Sequence, residues 1–323
     1  MRVLFVSSPP GHFASLDADL LKPQVDAVVF EWRGRTSVLP LRRALKEAAL
    51  GIGWFAEDHS AVLAFLCRLQ RKPSIVVAGG SEVSSDPTGT FGSGGTWKGR
   101  FLRRYALSKA SVVIAPSKFT SSEVRRLVQP RSLQVIPNAV DTGLFRPLAK
   151  QPIVATAALR ITERTWRTKG IDVFCDAARH MPDVPFMVIG EMAVNRSLLQ
   201  EVPPNVRFRG TLRREELARA LGTAAVYCQL SRYESFGMAL AEAMAAGCIP
   251  VTTQVGALPE TRGPWGLGLP DVRTEKVVTA IRSALDAPTG EGERVRSWTS
   301  ENFSEDRRRQ ALSELVRSLL AER

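Results

Sequence analysis

Cysteine and histidine are scarce in this chain of 323 residues. The four cysteines, Cys67, Cys175, Cys228 and Cys248, stand singly, and the three histidines, His12, His59 and His180, share no ligand spacing. A disulfide framework and a zinc site are therefore not expected, and a reducing cytoplasm is the natural compartment. Long apolar runs are lacking too. None approaches the roughly 18 residues that a membrane-spanning helix needs. The opening MRVLFVSSPPG breaks too early for a signal peptide and reads as a buried first strand entering a Pro-Gly loop. Aromatic residues make up 7% of the chain and do not interleave along one broad basic face, so no nucleic-acid partner is expected despite a pI near 10.1.

What is present is ordinary globular material, 44% hydrophobic and 24% charged, long enough for two domains. The net charge of +12 is uneven. Residues 1–149 carry 20 Lys+Arg against 11 Asp+Glu, and residues 150–323 carry 24 against 21. That asymmetry by itself points to an acidic ligand, a nucleic acid or an anionic membrane surface for the first half. The segment WKGRFLRRYALSK (97–109) concentrates it on one helix, with Lys98, Arg100, Arg103 and Arg104 around Phe101, Leu102 and Tyr105. An ordinary packing helix with solvated arginines is the alternative.

Strand-like runs alternate with helical ones. The first series is Val3–Ser7, Ala27–Phe30, Ser74–Val77, Ser111–Ile114 and Leu133–Ile136; the second is Ile153–Ala157, Phe186–Ile189, Val206–Phe208, Ala225–Gln229 and Ile249–Thr252. Alternation at that length implies parallel sheets of βαβ units. The turn-rich NAVDTGLFRPLAKQP (138–152) separates the series. DPTGTFGSGG (86–95) follows a first-series strand as either a ligand loop or a surface loop. The last segment, capped by Ser304, carries Leu312, Leu315, Val316, Leu319 and Leu320 on a helical stripe, the mark of a packing helix.

The segment RYESFGMALAEAMAAGCIPVTT (232–253) places Glu234 and Glu242 around a helix mouth near Gly237. Free first-turn amides and the positive dipole end suit a phosphate, and glycine lets backbone approach it. A carboxylate beside an anion site calls for another partner, and sugar hydroxyls fit, since carboxylates accept strong hydrogen bonds. A nucleotide-sugar would satisfy both glutamates; solvated side chains are the alternative, and the residues alone leave the two open.

The segment SRYESFGMALAEAMAAGCIPVTTQVGALPE resembles the signature of the family-4 glycosyltransferases. APSKFTSSEV, VIPNAVDTGLFRP, AALR…TKGIDVFCDAA and NVRFRGTLRREEL resemble further family motifs in the family's order. The likeness is strong over about 110–323 and in outline over 1–109. It implies the α/β GT-B fold, two Rossmann-like doubly wound domains facing a central cleft. The expected domains are an acceptor-side domain over 1–148 and a nucleotide-sugar domain over 149–303, with helix 304–323 packing back onto the first. It also implies hexose transfer from a nucleotide-diphosphate sugar to an acceptor hydroxyl with retention of configuration, without a required metal or other cofactor.

Carried over by residue, the resemblance gives Glu234 the donor-sugar hydroxyls and Glu242 the ribose. Backbone at Phe236, Gly237 and Met238 would approach the sugar and diphosphate, which Arg160 and Lys169 would hold. The insertion ITERTWRT separates those two more widely than in the family, so Arg164 or Arg167 stands as an alternative to Arg160. His12, in the loop after the first strand, is an expected acceptor or sugar contact. The family's usual later histidine is replaced by VVAGGSEVSS, with Glu82 as a polar contact, and Glu57, Asp58 and His59 form a weaker cluster. The expected acceptor is acidic or lipid-linked, with the chain cytoplasmic or peripheral at a membrane's inner face through its basic half. A nucleotide-sugar epimerase, against which the Glu234/Glu242 pair counts, and a nucleic-acid binder are the rival readings.

Overall fold

A computed structural model describes residues 1–8, 12–84, 96–200 and 202–321, with the side chains of His12, Ser81, Arg196 and Ser197 left out. The chain divides into two compact units, residues 1–138 with 305–323, and residues 139–304.

Unit 1 runs β1 (Arg2–Ser7), α1 (His12–Leu21), β2 (Asp26–Glu31), α2 (Val38–Glu47), β3 (Leu50–Trp54), α3 (Asp58–Leu69), β4 (Ser74–Val77), α4 (Trp97–Lys109), β5 (Val112–Ala115), α5 (Lys118–Leu127) and β6 (Leu133–Val135). Its six strands lie in the order β2-β1-β3-β4-β5-β6, and every pair is parallel. Strand β3 does not stand out in the sequence, because two of its five residues are glycine. The glycines serve packing: a Cβ on Gly51 would stand 2.7 Å from Leu63 Cδ1, and one on Gly53 2.4 Å from Ser60 Oγ. Helix α3 can therefore lie close on the sheet.

The side chains of β1 alternate as a strand demands. Val3 and Phe5 enter a core with Ala14, Ala18 and Leu21 of α1, while Leu4 and Val6 enter one with Leu41 and Leu45 of α2 and Leu63 and Leu66 of α3. Val76 and Val113 join that second face with Ala106 and Leu107 of α4. One face of the sheet thus carries α1, and the other carries α2, α3 and α4.

Unit 2 runs β7 (Gln151–Thr162), α6 (Glu163–Thr168), α7 (Ile171–Arg179), β8 (Phe186–Ala193), α8 (Arg196–Gln200), β9 (Val206–Phe208), α9 (Arg214–Thr223), β10 (Ala224–Gln229), α10 (Met238–Ala245), β11 (Ile249–Thr253), α11 (Leu258–Arg262), β12 (Leu267–Leu269), α12 (Thr274–Leu285) and α13 (Glu291–Phe303). The parallel order is β12-β11-β10-β7-β8-β9. The chain turns back between β7 and β10, so that pair forms the topological switch point where doubly wound sheets bind ligands.

The division falls after Asn138 rather than at 148/149. Residues 139–148 belong to unit 2 by their bonding. Val140 N–H donates to Phe303 O at 2.8 Å, Leu148 N–H donates to Gly222 O at 3.0 Å, and Phe145 is fully buried in that unit's core. The last helix, α14 (Glu305–Ala321), returns to unit 1. Leu312, Leu315 and Val316 fill the α1 face, and the buried Arg308 donates to both carboxylate oxygens of Asp17, at 2.5 and 2.8 Å.

Candidate active site

The loops at the C-terminal ends of β7 and β10 lie next to each other because those strands pair. After β7 come α6 and then Lys169, followed by Gly170 in a left-handed conformation (φ 71°). A Cβ on Gly170 would stand 2.1 Å from Leu230 O, so glycine is required for this turn to press on the loop after β10. Arg232 N–H donates to Thr168 O at 2.9 Å, and the Arg232 guanidinium forks onto Asp172 at 2.9 and 3.1 Å. These contacts lace the two loops together.

The result is a half-buried ion pair. Lys169 Nζ donates to Glu234 Oε2 at 2.8 Å. The same oxygen accepts from Gln229 Nε2 at 3.3 Å, and Gln229 in turn donates to Ser231 Oγ and accepts from Tyr227 OH. The Tyr227 hydroxyl accepts from Ala157 N–H at 3.2 Å on β7. A buried polar chain thus runs from strand to carboxylate, which holds Glu234 in one orientation. Its backbone is held as well: Glu234 O accepts from Ala257 N–H at 2.9 Å, and Gly256 passes so close that a Cβ would lie 2.1 Å from that oxygen.

Three residues on, Gly237 adopts φ 92° and caps α10, and having no side chain it makes no cap hydrogen bond of its own. The dipole of the eight-residue α10 therefore opens at Gly237 and Met238, beside Glu234. Phe236 contributes only backbone there, for its ring is buried against Phe303 at 5.3 Å and its carbonyl accepts from Thr261 Oγ1. Glu242, a turn along α10, is largely enclosed. Burial raises its carboxyl to about 7, and the Arg214 guanidinium pulls the other way. Arg214 also stands 3.8 Å from Asp141.

The arginines divide. Arg160 lies on an extension of β7 that pairs with β8, and its exposed side chain meets Glu191 at 3.4 Å. The segment ITERTWRT forms the end of that strand and α6, where a Thr162–Thr165 capping box starts the helix and exposed Arg164 and Arg167 lie on it. Lys169, and none of Arg160, Arg164 or Arg167, forms a described ion pair with Glu234. Gln229, Tyr227, Asp172, Arg232 and Gly256 were not singled out by the sequence. The pairing of β7 with β10, and for Gly256 that of β10 with β11, gives them meaning.

In unit 1, Glu82 is consumed structurally: its buried carboxylate accepts from the amides of Ala56, Gly79 and Gly80, and burial raises its pKa. Glu57, Asp58 and His59 bring ligand atoms within 4.8 Å of one another. His59 is fully buried, however, with Nε2 2.5 Å from Trp54 O and Nδ1 3.3 Å from Ser8 Oγ. Asp58 accepts from Trp32 Nε1 at 3.1 Å. His180 Nδ1 lies 2.9 Å from Asp176 O at the end of α7. His12 opens α1, but its side chain lies outside the described residues, as does the whole of 86–95.

Two family descriptions match the sequence in succession: Glycosyltransferase Family 4 over residues 20–144, and Glycosyl transferases group 1 over residues 152–287. The chain belongs to the family-4 glycosyltransferases. The fold of this family-4 chain is the GT-B architecture of two Rossmann-like units. The sucrose-phosphate synthase structure from Thermosynechococcus elongatus is similar at TM-score 0.79 and 18% identity, covering 100% of both chains. Anabaena HepE in complex with UDP and glucose is similar at TM-score 0.79 and 17% identity, over 98% of this chain and 100% of that one.

Among curated proteins, MMP alpha-(1->4)-mannosyltransferase of Mycolicibacterium hassiacum is 33% identical over 147 residues, 43% of this chain and 35% of that one. Glycogen synthase of Mycobacterium tuberculosis is 27% identical over 209 residues, 61% of this chain and 50% of that one. The match thus spans half the length of these relatives or less. No helix among the described residues of this family-4 glycosyltransferase is long and apolar enough to cross a membrane.

Proposed function

We propose that the chain transfers a hexose from a nucleotide-diphosphate sugar to an acceptor hydroxyl with retention of anomeric configuration. The observation that carries this reading is the Lys169–Glu234 pair at the β7/β10 switch point, beside the glycine-capped N-terminus of α10. Glu234, oriented by Gln229, accepts from donor-sugar hydroxyls. Lys169 Nζ turns its charge to the diphosphate, where negative charge grows as the C1–O bond breaks. The amides of Gly237 and Met238 approach the same phosphates, with backbone at Phe236 beside the sugar. One of Arg160, Arg164 and Arg167 completes the charge. Glu242 accepts from the ribose once it is ionised.

The acceptor oxygen bonds C1 from the face that the diphosphate leaves, and its proton departs with the diphosphate. No divalent cation is required in this scheme, because Lys169 and an arginine supply the positive charge. Unit 1 takes the acceptor, with His12 as an acceptor or sugar contact. The outward cations Lys98, Arg100 and Arg104 of α4 favour an acidic or lipid-linked acceptor and a peripheral position at the inner face of a membrane.

Thermal unfolding with UDP, GDP, ADP and their sugars tests this reading, since a ligand of the native state raises the melting temperature by mass action. One nucleotide should stabilise the chain, and its sugar conjugate should do so further. No stabilisation by any of them would end the proposal.

A further inference from the structure

The helix layer α2–α3–α4 on one face of the unit 1 sheet has an outer surface that the donor chemistry does not use. Leu39 of α2 is 63% exposed, Phe65 and Leu69 of α3 are 51% and 60% exposed, and Trp97 and Phe101 of α4 are 75% and 60% exposed. Helix α3 packs against both neighbours. Exposed large apolar side chains recur on three neighbouring helices, and Trp97 and Phe101 stand one turn apart on α4, which distinguishes this surface from a singly scattered apolar residue.

The same surface is basic. Lys98, Arg100 and Arg104 are exposed on α4, Arg68 on α3 and Arg42 on α2; α4 carries no acidic residue. Arg103 does not belong to this set. It is buried, with its pKa lowered by desolvation against the opposing charges of Glu82 and Glu57. On α4 the exposed aromatics lie between the cations: Trp97 and Phe101 are flanked by Lys98 on one side and by Arg100 and Arg104 on the other. Apolar side chains bracketed by cations match a bilayer interface, where rings enter the acyl boundary and cations stay among anionic head groups. A soluble polyanion would use the cations and leave the five apolar side chains in water.

We infer that the outer face of α2, α3 and α4 docks on an anionic lipid bilayer, with Trp97 and Phe101 inserting. This deepens the proposed function by naming the partner of unit 1, and it rests on that reading only in placing the acceptor there.

Co-sedimentation of the full chain with phosphatidylcholine vesicles, with and without phosphatidylglycerol, reads the partition coefficient. Wild type should bind the anionic vesicles, and brominated lipid should quench part of its tryptophan fluorescence. The variant Trp97→Ser/Phe101→Ser should bind about tenfold or more weakly at every salt concentration, as two part-inserted aromatics are lost. The variant Lys98→Gln/Arg104→Gln should lose about tenfold at low salt and less at high salt, where exposed charges are screened.

Far-UV circular dichroism and nucleotide stabilisation, measured on all three proteins, should be unchanged, because the substituted side chains are exposed. Equal partitioning of wild type and both variants, or none by wild type, overturns the inference. So does a wild-type dimer in sedimentation velocity that Trp97→Ser/Phe101→Ser dissociates, since a second copy would then cover the face. Loss of nucleotide stabilisation in wild type with vesicle binding intact would sink the donor reading and leave this one standing.

Discussion

Lys169 Nζ lies 2.8 Å from Glu234 Oε2, although the two residues are 65 positions apart in the chain. The pair joins the loop after one central strand to the loop after its neighbour. Each residue is held by contacts other than the pair itself, Lys169 by the Gly170 turn and Glu234 by Gln229 and Gly256.

Removing either partner should damage turnover more than folding. Glu234→Ala and Lys169→Ala are each expected to lower the rate with the cognate donor by about one to three orders of magnitude, as for a lost charged transition-state contact. Steady-state transfer, with melting temperature measured in parallel, checks this. Full activity in both variants would remove the site.

The carboxyl of Glu242 is raised by burial to about 7, from an ordinary value of 4.5. A raised carboxyl holds its proton longer in the folded chain than in the unfolded one. Its contribution therefore favours the fold most below pH 4.5 and is lost as pH rises from 4.5 to about 7. Nucleotide affinity should run the other way, rising through about pH 7 as the carboxylate forms and accepts from the ribose. In Glu242→Gln that pH dependence should vanish, affinity should fall, and stability above pH 7 should rise. Calorimetric titrations across this range decide; an identical pH profile in the variant would take Glu242 out of the nucleotide site.

Gly256→Ala tests the backbone support of Glu234. The new Cβ, placed at φ 58°, would stand 2.1 Å from Glu234 O, so one of the two loops must move. A stability loss of about 1–3 kcal/mol is expected. Turnover should fall by up to about 100-fold through misplacement of the carboxylate. Wild-type kinetics would show that the loop tolerates the shift without consequence.

Asp17 and Arg308 anchor the C-terminal helix inside unit 1. Trp54 Nε1 also donates to Asp17 at 2.8 Å, and Arg308 Nη1 donates to the carbonyls of Ile136 and Pro137. Asp17→Ala leaves a buried guanidinium without its carboxylate and should cost about 3–5 kcal/mol in urea unfolding. A loss within error would show that α14 is held by its apolar stripe alone.

Chelation should leave transfer intact, because Lys169 and an arginine carry the charge proposed for the diphosphate. Activity in EDTA measures this. A complete loss restored by added divalent metal would require a different account of the leaving group.

The sequence by itself determined the alternation of strands and helices, the apolar stripe of α14 and the helix mouth at Gly237. Each is written in residues close together in the chain, where periodicity and glycine conformation act locally. It determined much less where packing overrides local pattern. Strand β3 went unread because its glycines answer to α3 above them, and residues 139–148 joined unit 2 because their amides and Phe145 find partners there. At the site, Glu234 and Lys169 were legible as residue types, while their contact, the division of Arg160 to Glu191, and the roles of Gln229 and Gly256 came from strand order. The basic helix was visible too, but the burial of Arg103 and the exposure of Phe65 on the neighbouring helix were not. Which face of a helix meets water is decided by what the rest of the chain packs against it, and only the tertiary structure contains that.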